Sequence, residues 1–210
     1  MNTRICAVGV LATSLLTSVG AQSFTDVWDI SRGTEVTAHS SLDLPDYDAR
    51  DAFGGNFGSY WPEAGSIVFA DESAPFTVDY LEWKTVTPVT ITGYNLFVNG
   101  DGGDTGYREL GTFILKAKSL GSSTFDLVLD AFTPTHPYNF AEFSRTIGSV
   151  TAQEFRAEFV NSGDIDSSYR GIRVVELDAV PEPEHMAIAV GASLLGLALL
   201  RCRIFRQATQ

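Results

Sequence analysis

Gly111-Thr112-Phe113-Ile114-Leu115-Lys116-Ala117-Lys118 is the stretch that decides the fold. Phe113, Leu115 and Ala117 fall on one side of an extended chain while Lys116 and Lys118 fall on the other, so the segment predicts a strand with one buried face. Glu154-Phe155-Arg156-Ala157-Glu158-Phe159-Val160 repeats the pattern: Phe155, Ala157 and Phe159 point one way, Arg156 and Glu158 the other. Working outward, similar runs predict strands at Glu35–His39, Ser66–Ala70, Phe76–Trp83, Val89–Val98, Phe125–Asp130 and Gly171–Leu177. Gly, Asp, Asn, Ser and Pro separate them, and no helical periodicity interrupts. No internal repeat of 20–50 residues points to a solenoid or propeller. The expectation is all-β: a jelly-roll-like antiparallel β-sandwich over residues 22–180, with Trp61 and Trp83 in its core.

The order of several segments resembles the discoidin, or coagulation-factor type C, family of galactose-binding-like jelly rolls. Its early Ala-x-x-Ala-Phe-Asp-Gly pattern followed by Trp is approached by Ala49, Ala52, Phe53, Gly54, Gly55 and Trp61. Its middle pattern, an Arg, a strand and then Ser-x-Asp-Gly, is approached by Arg108, Phe113 to Leu115, Ser119 and Gly121. The last strand, usually with a Glu among apolar residues, is approached by Gly171-Ile172-Arg173-Val174-Val175-Glu176-Leu177. The resemblance implies a jelly roll over most of residues 26–180. The early Asp, which lies in the calcium-binding region of many such domains, is Gly54 here, and that departure weakens the expectation of a family-type calcium site.

The two cysteines, Cys6 and Cys202, both lie outside residues 22–180, so this domain has no disulfide and must be held by its core. Its length suffices for one. The domain carries 24 acidic against 10 basic residues, a formal charge of −14. That field repels nucleic acid and anionic surfaces, keeps the chain soluble, and leaves neutral glycans, cations or basic proteins as partners.

Both flanks have a composition of their own. Residues 1–21 read as a signal peptide: Arg4 gives the positive start, Ile5–Val19 is mostly apolar, and Val19-Gly20-Ala21 supplies the small-x-small site for signal peptidase. At the other end Pro181-Glu182-Pro183 is followed by an apolar run from Met186 to Leu200 and then by Arg201, Arg203 and Arg206. The prolines remove backbone donors, so the motif is expected to stand clear of the preceding sheet. The apolar run reads as a single transmembrane helix of about 22 Å, short for a bilayer core of about 30 Å, with the arginines snorkelling on the cytoplasmic side.

Residues 181–206 resemble the PEP-CTERM sorting signal of Gram-negative bacteria: a Pro-Glu-Pro motif, a short transmembrane helix and an arginine cluster. Cys202 departs from the usual arginine without disturbing the charge pattern. The resemblance implies an exosortase substrate, held transiently in the inner membrane and then released or transferred to the cell surface or extracellular matrix, where such proteins accompany exopolysaccharide. The plain reading beside it is a tail anchor that is never cut.

Within the domain, Asn99-Gly100-Asp101-Gly102-Gly103-Asp104-Thr105-Gly106 reads first as a hairpin turn, its glycines supplying positive φ. Asp101 and Asp104 could also serve Ca2+, although the loop lacks the full EF-hand pattern. Asp43, Asp46, Asp48 and Asp51 around Pro45 admit the same two readings. Sugar rings stack on aromatic faces while polar side chains bond their hydroxyls, which makes Tyr60, Tyr107, Arg108, His136 and Tyr138 the candidate ligand contacts.

No motif for catalysis is present. His39, His136 and His185 are isolated, without zinc-ligand spacing, and there is no nucleophile elbow, dinucleotide fingerprint or P-loop. A glycosidase pair of carboxylates is set by the fold and cannot be read from spacing. The sequence therefore predicts an exported, non-catalytic glycan-binding or structural surface module, with an exported carbohydrate-active hydrolase on the same scaffold as the alternative.

Overall fold

The computed structural model describes residues 26–45, 47–54, 65–71, 74–100, 108–135, 140–162 and 170–182. These form seven strands: β1 (Glu35–His39), β2 (Ile67–Val68), β3 (Val78–Asn99), β4 (Leu110–Ala117), β5 (Leu127–Phe132), β6 (Phe140–Asn161) and β7 (Arg173–Pro181). Two short 3-10 helices, Ile30–Arg32 and Ala49–Phe53, precede β2. All pairings are antiparallel, in the order β2-β7-β3-β6-β4-β5, with β1 on the early part of β3.

β3 and β6 are long enough to serve both layers. Extended at about 3.3 Å per residue, Phe143 and Phe159 of β6 would stand about 53 Å apart. Yet Phe132 packs on Phe143 with ring centroids at 5.2 Å and on Phe113 at 5.7 Å, and Phe113 packs on Phe159 at 5.3 Å. The β3–β6 pair must therefore fold back on itself. One layer holds β1, the early half of β3, the late half of β6, β4 and β5; the other holds β2, β7 and the remaining halves.

The fold-back sits where the ladder slips. Lys84 pairs with Glu154 and Val89 with Ala152, so residues 85–88 of β3 stand opposite Gln153 alone. Pro88 lies in this bulge, where its missing N–H costs no ladder bond. Here the structure corrects the sequence reading. The expected strands Phe76–Trp83 and Val89–Val98 are one strand, because the Thr- and Pro-containing break is a corner within it. β6 likewise begins at Phe140 and not at Glu154. Its early half alternates as a strand should, but Arg145 occupies an inward position and is accommodated by a two-point ion pair with Asp130, Nε–Oδ2 2.8 Å and Nη2–Oδ1 3.1 Å.

Between the layers Trp28, Phe53, Trp83 and Phe155 form one aromatic group, with Trp28 and Trp83 edge to face at 4.9 Å. Tyr94, Phe113, Phe159 and Phe69 form a second. Trp83 is fully buried, as expected; Trp61 lies outside the described residues.

A second correction concerns Pro181. It does not stand clear of the sheet but is the last residue of β7, opposite Ile91. A strand end needs no further donor, and the next N–H, that of Glu182, reaches Thr90 O at 3.4 Å. The Glu182 carboxylate accepts the Ser149 hydroxyl. Pro183, Arg201, Arg203, Arg206, the apolar run Met186–Leu200 and residues 1–21 lie outside the described residues. Among the described residues no helix is long and apolar enough to cross a membrane.

Candidate functional site

The pairings gather several chain connections at one end of the sandwich. Val78 and Thr112 both sit beside Val160, Asn99 pairs with Phe140, Phe132 with Phe113, and Val174 with Val98. The connections after Ala70, Asn99, Phe132 and Asn161 all leave from here, as loops over a rigid scaffold that carries binding residues commonly do.

Arg108 organises this end. Its backbone is in the left-handed region at φ 56°. Its side chain, only 10% exposed, donates from Nη1 to Gly171 O at 2.9 Å and to Asp71 Oδ1 at 3.2 Å, and from Nη2 to Asp43 Oδ2 at 3.2 Å. Asp71 Oδ1 also accepts the Gly171 N–H at 2.9 Å. One guanidinium thus ties the start of β4 to the segments flanking β2 and to the entry of β7, using its fixed fork of donors. Beside it Ser162 donates to Glu109 through both its N–H, to the backbone O at 3.1 Å, and its hydroxyl, to Oε2 at 2.8 Å.

Phe76 is presented from this frame. It lies just before β3, is 68% exposed and holds φ 61°. Left-handed backbone is uncommon for a non-glycine residue and persists only where the surroundings enforce it. The enforcing contact is the Phe76 N–H donating to Oδ1 of the fully buried Asn161 at 2.6 Å. Asn161 is fixed in turn by its own N–H to Thr77 O at 3.3 Å. A second half-exposed aromatic, Phe140, stacks on Phe97 at 6.1 Å.

Of the residues singled out by sequence, Arg108 falls in this frame and is largely committed to it. Tyr60, Tyr107, His136 and Tyr138 lie outside the described residues, as do Asp101 and Asp104. Phe76 and Phe140 were missed. The sequence places Phe76 at the head of a strand, Phe76–Trp83; the preceding Ala74-Pro75, which sets an extended or turn conformation, is the available signal of a different backbone.

A separate carboxylate group lines the β7 edge. Asp26 is almost wholly buried and accepts at Oδ1 from the N–H groups of Trp28, at 2.9 Å, and Ala179, at 2.7 Å. Burial pushes its pKa up to about 7, with Asp178 and Asp29 adding to the rise. Burial also raises Glu176, as does the negative charge of Asp178; Asp178 itself is raised by burial, with Asp29 and Glu142 contributing. A group built this way favours protons over exposed charge. Among the described residues no group of three or more His, Cys, Asp or Glu is disposed to hold a metal ion.

No protein-family profile matches the sequence. No curated protein matches it either. Solved structures do resemble the fold. A family 32 carbohydrate-binding module from Streptococcus pneumoniae EndoD superposes with a TM-score of 0.51 at 15% identity, covering 75% of this chain and 99% of that one. The carboxy-terminal domain of a chitobiase from Bacteroides fragilis gives 0.51 at 13%, covering 71% and 93%. A GH29 fucosidase from Ruminococcus gnavus gives 0.52 at 13%, covering 77% of this chain but 28% of the enzyme. At such identities the likeness speaks to architecture alone: the chain folds as an all-β, jelly-roll-like antiparallel sandwich.

Proposed function

We propose that the protein is an exported, non-catalytic glycan-binding module of the cell surface or extracellular matrix, and that it binds at the Arg108 end of the sandwich. The observation that carries this reading is Phe76: an exposed ring held in a costly backbone conformation by a buried asparagine, on a fold shared with carbohydrate-binding modules. Such a ring is a stacking face for the C–H side of a sugar, and the neighbouring loops supply polar partners. Arg108 acts as a positioning residue. Asp43, Asp71 and Glu109 are each bound to Arg108 or Ser162, which favours recognition over hydrolysis at this end.

Affinity electrophoresis of the domain in gels containing host exopolysaccharide tests the reading. Phe76→Ala should lower affinity about tenfold, roughly 1.4 kcal/mol, with little change in Tm because the ring is outside the core. Unaltered retention of the variant would remove Phe76 from the site, and no retention of either protein on any host polysaccharide would end the glycan reading.

Export and sorting belong to the same proposal. Signal peptidase removes residues 1–21, and an exosortase cuts near Pro181-Glu182-Pro183 after the apolar run has held the precursor in the inner membrane. The sequence of the two ends supports this. Mass spectrometry of the mature protein from hosts with and without the exosortase should show a shortened carboxy terminus only in the former. An intact terminus in both would make the tail a permanent anchor.

A further inference from the structure

At the end of the sandwich opposite Arg108, the fold-back of β3 and β6 carries no charged side chain. Thr85–Thr92 of β3 and Thr146–Gln153 of β6 contain no Asp, Glu, Lys, Arg or His, although charged residues make up 19% of the chain. These two stretches form the fold-back. Residues 85–88 are pushed out of the ladder, leaving Val86, 66% exposed, with Thr87 and Pro88 at the tip. Opposite Thr92 a second slip, between the Ile91–Val150 and Gly93–Thr146 pairs, turns Gly148 and Ser149 outward.

Several polar groups of this tip are already engaged. Gln153 Nε2 donates to the carbonyls of Thr85 and Val86, at 2.9 and 3.1 Å, the Thr85 hydroxyl donates to Thr87 O at 2.8 Å, and the hydroxyls of Thr90 and Thr151 bond each other at 2.8 Å. What faces outward is methyl groups, a proline ring and a few hydroxyls. Lys84, Glu154 and Glu35 form a charged row one step further in, and Glu182 is tied down by Ser149.

The chain leaves the domain at this same tip. β7 runs from the Arg108 end to Pro181 beside Ile91, and Glu182 rests on Thr90. Three residues, Pro183, Glu184 and His185, then separate it from the apolar run that begins at Met186. At about 3.3–3.6 Å per residue these can span no more than about 14 Å.

We propose that this uncharged tip, Val86-Thr87-Pro88 with Gly148-Ser149, is a lipid-facing surface that rests on the headgroup region of the membrane. The inference depends on the reading, made above, that Met186–Leu200 sits in that membrane. Two observations join in it. The short connection brings this end within reach of the bilayer, and the fold-back residues that lead there carry no charge to desolvate, while the Glu182 carboxylate beside them is held by the Ser149 hydroxyl. The nine residues of β7 then place the Arg108 end about 30 Å further out, facing the surroundings.

The test uses the unprocessed protein from a host lacking the carboxy-terminal protease, carrying Cys6→Ser and Cys202→Ser. It is reconstituted in vesicles of phosphatidylethanolamine with a minority of phosphatidylglycerol. An environment-sensitive fluorophore is attached at Thr87→Cys, or at Thr135→Cys beyond β5 as the opposite-end control, and quenched by headgroup nitroxide lipids. Quenching at position 87 should exceed that at 135 at least about threefold. Equal or reversed quenching with protein that floats with the vesicles overturns the lipid-facing tip while sparing the membrane seat of the tail. Cross-linking of two chains through position 87 overturns it in favour of a second copy of the chain. Failure to float overturns both the tip and the tail reading.

Discussion

Asp26 shows how much one side chain can decide. It accepts from the N–H groups of Trp28 and Ala179, so a single carboxyl fastens the start of the domain to its last strand. Its folded pKa, about 7, lies above the ordinary carboxylate value, so the folded state keeps a proton that the unfolded chain gives up above about pH 4. Stability from this group is complete at low pH and is lost as pH rises toward 7; Glu176 and Asp178, also raised, act in the same sense. Asp126, held at about 2 by Ser119, and Asp130, held low by Arg145, act oppositely and withdraw stability as the pH falls below about 4. Calorimetry across pH 3–8 should therefore place the highest Tm near about pH 4–5. Asp26→Asn, which keeps the acceptor and removes the charge, should gain about 1–3 kcal/mol at pH 8 and flatten the decline. Asp26→Ala should be about 2–4 kcal/mol less stable than Asp26→Asn at every pH, because two buried N–H groups lose their acceptor. If Asp26→Asn melts below the native protein at pH 8, the burial argument for this carboxyl is wrong. Little of this was legible in sequence, where Asp26 is one acid among many and its partner Ala179 stands far along the chain.

At the level of elements, period-two runs located a part of every strand but missed the whole early half of β6. Gly111–Lys118 and Glu154–Val160 announced themselves because Phe113, Leu115 and Ala117 in one, and Phe155, Ala157 and Phe159 in the other, alternate with mostly polar residues. β3 read as two pieces since Pro88 with Thr85 and Thr87 looks like a turn; only the pairing with β6 shows that the turn is a corner within one strand. Close approaches were equally hidden. A Cβ on Gly171 would stand 1.7 Å from Phe69 O, and that backbone is pinned by its hydrogen bond to Ile172 O and by the Leu42–Phe69 bridge. Gly171→Ala should consequently cost more than about 3 kcal/mol in urea unfolding, or leave the domain unfolded, as expected where backbone must move. A loss below about 1 kcal/mol would mean that the β2–β7 junction yields more easily than these contacts imply. On the outer face, by contrast, Arg156 bridges Glu82 at 2.5 Å and Glu158 at 2.9 Å while covering the Tyr80 ring at 4.0 Å. This cross-strand ladder was foreshadowed by the same alternation that buried Phe155 and Phe159.

For the molecule as a whole, fold class was legible from alternation and from the loose discoidin-like segments, because both report on burial. The proposed binding end was legible only in part. Arg108 stood out through its place in the middle pattern, whereas Phe76 owes its exposure to an asparagine 85 positions away. The two ends of the sandwich differ in kind: one gathers carboxylates, a guanidinium and exposed aromatic rings, and the other carries the uncharged fold-back, with Lys118, Asp126 and Glu182 around it. β7 connects them, hydrogen-bonded to β3 from Val98–Val174 to Ile91–Pro181. A chain tethered beyond Glu182 and gripping a polymer near Gly171 would feel tension along the axis of this strand. Its ladder bonds would then share the load in shear instead of opening one after another, so the last strand would also be the mechanical link between anchor and cargo.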